Sequence, residues 1–209
     1  MDVVADPLEK NSSRQEGSSL PTTGQPAREA GGGFYAFHLL SEGGVGIAVG
    51  DATGKGVPAA LVMSTTCGML QLAAGALASS SPGEVLERVN ETLFARMPAN
   101  MFVTCFYCIL DPESGRLSYA NAGHDLPYVL RGSGGEAEEL RARGMPLGIM
   151  PGMSYEEKEI ILNSGDAAPL YSDGLVEAHD PRGEMFGFPR LKTLVAEHAD
   201  EERSPGDFL

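Results

Sequence analysis

The chain has 209 residues, of which 42% are hydrophobic, which is enough for one domain with a sizeable core and a tail. Its 15 basic and 29 acidic residues give a formal net charge of −14, and this acidic balance excludes a nucleic-acid partner because it repels phosphates. Any site for a phosphorylated ligand therefore needs local positive charge, such as bound metal ions.

The first 25 residues are rich in Ser, Thr, Gly, Pro and charge, which predicts a flexible tail before a single domain over 26–209. No basic segment followed by an apolar run opens the chain, so a signal peptide is not expected. Three cysteines in apolar stretches indicate reduced, buried thiols and a cytoplasmic protein. The uncharged stretch 57–78 is long enough to span a bilayer, but its proline, glycines and hydroxyl residues favour a buried core helix and no membrane span.

The first half of the domain predicts a hairpin followed by two helices. Segments 34–40 and 45–51 each read as a strand, and the second alternates large and small residues before it ends at Asp51. A loop over 52–56 leads into the apolar helix. Ser81, Pro82 and Glu84 have the spacing of a capping box at the start of the second helix.

The second half predicts mainly strands. Strands are expected over 102–110, 116–122, 128–130, 156–162 and 167–172, and a final helix over 189–198. Hairpins interrupted by paired helices indicate an α+β domain with largely antiparallel sheets.

Two aspartates are candidates for chemistry. Asp51 and Asp173 each follow an apolar strand and precede small residues, and a carboxylate in that position can meet a hard cation. Aspartate also commonly caps turns after strands, and for either residue alone that alternative is favoured.

Longer segments change this balance. They occur in order and are AREAGGGFYAF (27–37), GIAVGDATGKGVPAALVM (46–63), SPGEVLERVNETL (81–93), MFVTCFYCILDPESGRLSYANAGHDLPYVL (101–130), MPLGI (145–149) and SGDAAPLYSDGLVEAHDPRGEMFG (164–187). Over about 26–209 the chain resembles the SpoIIE-like (sporulation stage II protein E) serine/threonine phosphatases of the metal-dependent protein phosphatase (PPM) family.

The resemblance implies a PPM-type β-sandwich of two largely antiparallel sheets flanked by helices in α-β-β-α layers. It also implies two Mn²⁺ or Mg²⁺ ions, with the Asp51 carboxylate bridging them, the Ala52 carbonyl binding one and the Asp173 carboxylate binding the other. All three are oxygen ligands, as these ions prefer. Asp51 and Asp173 are thus the expected catalytic residues.

The implied activity is hydrolysis of phosphoserine or phosphothreonine, with an anti-sigma-factor antagonist in bacterial signalling as the expected protein substrate. Two divalent ions can lower the pKa of a shared water and neutralise the phosphoryl oxygens. Water then attacks phosphorus directly, and no covalent enzyme nucleophile is needed.

The chain departs from the family pattern at several places, one of which is Pro169 in the strand predicted before Asp173, where a backbone donor would normally pair. Gly33 stands where the family has a metal-binding carboxylate, and Ala36 replaces a second aspartate. The sequence ends at Leu209, before the family's final Asp-Asp pair, so we expect the C-terminal helix and strand to be missing. These departures are compatible with one bound ion in place of two. They also keep open a catalytically weak or inactive binding module as the alternative function, and a homodimer formed through an open sheet edge.

Other motifs are less informative. The segment 50–56 has the wrong spacing for a nucleotide-binding P-loop, so a nucleotide-binding protein is a distant third reading. Cys105 and Cys108 form an isolated CxxC in a strand, which favours packing over zinc binding. The resemblance places His124 near the active-site edge, shaping loops, although a lone histidine can equally be structural.

Overall fold

The computed structural model describes residues 33–41, 43–76, 81–98, 100–132, 137–180 and 182–197. The predicted tail over 1–25 lies outside these ranges. So does the predicted loss of a C-terminal helix and strand, which concerns residues beyond 197.

A five-stranded antiparallel sheet forms the centre of the domain, with the strand order β1-β2-β3-β4-β7, and β5 and β6 form a separate antiparallel pair. The strands are β1 Gly33–Leu39, β2 Val45–Ala52, β3 Val103–Leu110, β4 Arg116–Ala122, β5 Tyr128–Val129, β6 Glu138–Glu139 and β7 Glu157–Ile161. The predicted β1–β2 hairpin is present, and its register places Gly33 opposite Asp51.

At the central strands of the main sheet both faces are buried. On β3, Cys105 and Tyr107 face one hydrophobic cluster, which includes residues of the first two helices, whereas Phe106 and Cys108 face a second cluster. This alternation follows from the two-residue period of a strand. The predicted α+β fold, with antiparallel sheets flanked by helices, is confirmed.

Within the described ranges four helices accompany the sheets, namely α1 Val57–Ala76, α2 Pro82–Phe94, α3 Asp173–Val176 and α4 Gly187–Glu197. The predicted capping box is present at α2, where the Ser81 hydroxyl accepts from the Glu84 N–H and the Glu84 carboxylate accepts from the Ser81 N–H. The apolar side of α2 is buried as predicted, through Val85, Leu86, Val89 and Leu93.

Helix α1 differs from the predicted core helix because only one side of it is covered. Leu70 and Ala73 are buried against the sheet and α2, whereas Leu61 and Leu72 are exposed by 63% and 74%. The stretch Val57–Gly75 has a mean hydropathy of 1.4 and only 28% of it is buried, so it is long and apolar enough to cross a membrane by length and composition alone.

The predicted strand over 167–172 is wrong. Within the described residues this segment makes a single bridge, between Ala167 and Leu130, and no ladder. Proline has no N–H to donate, so Pro169 cannot continue a ladder toward Asp173. Asp173 therefore opens α3 and does not follow a strand. The predicted homodimer through an open sheet edge stays a prediction.

The start of this segment is held by an ion pair. The Asp166 carboxylate accepts from the Arg131 guanidinium at 2.7 Å and from the Gly132 N–H at 3.0 Å. Burial alone would raise the pKa of Asp166, but these bonds and one from the Asn163 N–H outweigh it and lower that pKa to about 2.

Candidate metal centre

Three segments that are distant in sequence meet at one end of the main sheet. Asp51, near the end of β2, lies opposite Gly33 at the start of β1. A Cβ atom added to Gly33 would lie 3.6 Å from Asp51 Oδ1 and 3.9 Å from Ser172 Oγ. The residue immediately before Asp173 is thus close to the same point as the Asp51 carboxylate.

The local charge is negative. Burial, together with the charges of Asp173 and Glu177, raises the pKa of Asp51 to about 6, against a lowering hydrogen bond from the Ala52 N–H. Asp173 and Glu177 are four residues apart on one helical turn, and the Glu177 N–H donates to the Asp173 carbonyl at 2.8 Å. A cation at this point would relieve the repulsion among the three carboxylates.

Glu177 was not singled out from the sequence. Its spacing of four residues from Asp173 places both side chains on the same face of a helix. The sequence does not predict a helix over 173–177, so this spacing does not by itself indicate that Glu177 approaches the site.

The loop after Asp51 is hydrogen-bonded at its start, and its later residues have few neighbouring atoms. Thr53 is bonded to Phe102 through both its backbone N–H and its hydroxyl. Gly54 and Gly56 have φ values of 94° and 73°, and an added Cβ at either would meet no atom within 4 Å. Lys55, between them, is exposed.

The oxygen donors at this site are of the kind that a hard cation prefers, but they are few. The candidates from the sequence are the Asp51 and Asp173 carboxylates and the Ala52 carbonyl, all of them oxygen donors. Across the described part of the chain, no three His, Cys, Asp or Glu side chains are arranged to hold a metal. The residues present therefore fit one ion that keeps several waters better than two ions held by protein.

The two replaced aspartates have different consequences. Gly33 faces Asp51, so a carboxylate there would join the cluster. Ala36 is three residues further along β1, on the opposite face, and packs against the first hydrophobic cluster. Of the two positions, only Gly33 lies where a side chain would face the Asp51 carboxylate.

The raised pKa of Asp51 predicts how the stability of the metal-free protein depends on pH. Because the folded-state pKa, about 6, exceeds the ordinary 3.8, the folded chain retains a proton that the unfolded chain releases. The resulting stability is full below about pH 4 and is lost as the pH rises through about 6. In EDTA, Asp51→Asn should thus melt at a higher temperature than the wild type at about pH 8 and at nearly the same temperature below pH 4. A gap that does not change with pH would contradict the assignment.

Comparison with known proteins identifies the family. The family described as "Stage II sporulation protein E (SpoIIE)" matches residues 41–209. The chain belongs to the SpoIIE family. The phosphoserine phosphatase RsbU of Bacillus subtilis is 30% identical over 187 residues, covering 88% of this chain and 54% of RsbU.

Solved structures agree with the fold. A Mycobacterium tuberculosis structure that contains RsbU and RsbW domains superimposes with a TM-score of 0.69 at 29% identity, over 81% of this chain and 46% of that one. The SiaA-PP2C domain of Pseudomonas aeruginosa gives 0.70 at 25% identity, over 82% and 68%. The chain thus spans about half the length of RsbU and less of the other curated relatives.

Proposed function

We propose that this SpoIIE domain is a metal-dependent protein phosphatase that hydrolyses phosphoserine or phosphothreonine. The observation that carries the proposal is the half-buried Asp51 carboxylate, whose pKa is raised by burial and by the charges of Asp173 and Glu177. Strongly perturbed carboxylates at the edge of a sheet are typical of functional sites. The relative RsbU is named a phosphoserine phosphatase, which supports the same reaction class.

Asp51, the Ala52 carbonyl and Asp173 would hold the ion, which we propose is Mn²⁺ or Mg²⁺, with two in the family and one here. When bound, the ion supplies positive charge for the phosphoryl oxygens and acidifies a water molecule. We propose that Lys55, which is exposed in the loop after Asp51, attracts a phosphorylated side chain to an otherwise acidic surface.

We propose a phosphorylated anti-sigma-factor antagonist as the substrate and the cytoplasm as the location. Support for the first comes from the family and from the solved structure that combines RsbU and RsbW domains in one chain. Support for the second comes from the free thiols of Cys67, Cys105 and Cys108.

A second candidate is a binding module with little or no activity. The glycine at position 33 favours it, because a carboxylate there would face Asp51 and complete the cluster. Such a module would bind the phosphoprotein without releasing phosphate.

The two candidates are separated by phosphate release from a phosphoserine peptide and from a phosphorylated antagonist, measured with Mn²⁺, with Mg²⁺ and with EDTA. A phosphatase releases phosphate with the metal and none with EDTA. Binding of the phosphoprotein without any release at millimolar Mn²⁺ would favour the binding module.

A further inference from the structure

The segment that brings Asp173 to the site is not held by a β-ladder. Its start is fixed by the Ala167–Leu130 bridge, but the described residues contain no ladder between that bridge and Asp173. Five residues separate Ala167 from Asp173, enough for the carboxylate to move by several ångströms if nothing else held the chain. At its far end the Tyr171 side chain is held, since its hydroxyl donates to the Leu126 carbonyl at 2.8 Å and its ring stacks on Tyr128. The Tyr171 backbone is bonded separately.

A buried histidine bonds the backbone of Tyr171. The imidazole Nε2 of His124 lies 3.0 Å from the carbonyl oxygen of Tyr171, two residues before Asp173. On the other side of the ring, Nδ1 lies 3.0 Å from the Thr104 hydroxyl on β3. Thr104 lies directly opposite Asp51 in the pairing of β2 with β3, so these contacts link the segment of Asp173 to the strand beside that of Asp51.

The chemistry of the partners fixes the protons. A carbonyl only accepts, so Nε2 carries a hydrogen and donates it to Tyr171. Burial lowers the pKa of His124, which favours the neutral ring, and Nδ1 then accepts from Thr104. Each ring nitrogen thus has a partner of the required kind.

The histidine is itself held rigidly. The buried Asn121 side chain bonds the backbone of His124 twice, accepting from its N–H at 2.7 Å and donating to its carbonyl at 2.9 Å. Between them Gly123 has a φ of 71°, a turn conformation that favours glycine. The Asn-Ala-Gly-His motif therefore presents the ring in one orientation.

We propose that His124 is a positioning residue that fixes Asp173 against Asp51 by tethering the Tyr171 carbonyl to β3 through Thr104. This inference rests on the proposed function for its consequence in catalysis, but the tether itself can be tested without metal or substrate.

Two conservative variants separate the two bonds. In His124→Gln the side-chain amide reaches the Nε2 position and can donate to Tyr171, while the contact with Thr104 is lost. In His124→Asn the amide reaches the Nδ1 position and keeps a Thr104 contact, while the bond to Tyr171 is lost. Only the first should preserve the position of Asp173.

A matched control is available in the same sheet. His38 on β1 is as buried as His124 and bonds the Tyr107 hydroxyl at 2.8 Å. It lies five residues along the strand from Gly33, about 17 Å from the site. Loss of its ring, in His38→Gln or His38→Asn, tests general destabilisation without touching the tether.

The test measures amide hydrogen exchange over residues 171–177 in EDTA and Mn²⁺ affinity by calorimetry, with the global unfolding free energy recorded for each variant. We expect His124→Asn to exchange at least about tenfold faster in that segment, with no matching change in β1–β4, and to bind Mn²⁺ about 10- to 100-fold more weakly. His124→Gln should recover most of both, and neither His38 variant should change them beyond its effect on global stability.

The proposal is overturned if His124→Asn exchanges like the wild type in 171–177, if Asn and Gln behave alike, or if exchange rises evenly over the sheet. A wild type that binds no Mn²⁺ and releases no phosphate would instead sink the proposed function. Exchange in the segment would still decide whether His124 holds it.

Discussion

Replacing Asp51 with asparagine is expected to reduce metal-dependent phosphate release by about 1,000-fold or more, since the transition-state stabilisation that a divalent ion supplies is worth several kcal/mol. Asparagine keeps the size of the side chain and removes its charge. The fold should survive, because partial burial and the charges of Asp173 and Glu177 destabilise the Asp51 carboxylate in the absence of metal. Steady-state phosphate release over a range of Mn²⁺ concentrations measures the effect.

A suitable control for Asp51→Asn is Asp111→Asn. Asp111 lies in the turn after β3, at the opposite end of the sheet, where it bonds the Ser114 hydroxyl and the Glu113 N–H. That variant should retain activity. Turnover of Asp51→Asn close to that of the wild type at every Mn²⁺ concentration would end the metal-site hypothesis.

Replacing Gly33 with aspartate is expected to increase Mn²⁺ affinity by about tenfold or more, because another anionic oxygen ligand strengthens a site for a hard cation. Gly33 has no positive φ and pairs regularly with Asp51, so aspartate fits the backbone there. Its Cβ would make ordinary contacts, the nearest at 3.6 Å from Asp51 Oδ1. Phosphate release at low Mn²⁺ should rise with the affinity.

Two other variants isolate the charge at position 33. Gly33→Ala adds the Cβ alone, and Gly33→Asn adds a neutral group of the same shape as aspartate. Neither should match the gain, and only Gly33→Asp should lower the melting temperature in EDTA by adding a like charge beside Asp51. Equal or weaker Mn²⁺ affinity in a well-folded Gly33→Asp protein would rule out a missing ligand as the cause of weak activity.

Local signals in the sequence predicted much of the fold. The alternation along β2, the capping box at Ser81 and the apolar face of α2 each depend on residues close in the chain, and the structure contains all three. The strand predicted before Asp173 failed because its apolar residues resemble a strand, while Pro169 removes the donor that a ladder needs.

The site was only partly predictable for a similar reason. Asp51 and Asp173 were candidates because each precedes small residues, but the approach of Glu177 depends on the one-turn helix α3, which the sequence did not indicate. The sequence also did not predict that only one side of α1 is buried. A helix that is apolar on every face does not indicate which face packs against the core. The roles of Thr104 and Tyr171 around His124 arise from contacts 20 and 47 residues apart.

The central claim is that Asp51 and Asp173 hold a divalent cation, and anomalous scattering from a crystal soaked in Mn²⁺ tests it most directly. The account predicts one strong manganese peak within bonding distance of both carboxylates in the wild type, with a second peak gained in Gly33→Asp. Carboxylates that point to different surfaces, or a manganese peak remote from Asp51 at millimolar Mn²⁺, would contradict it.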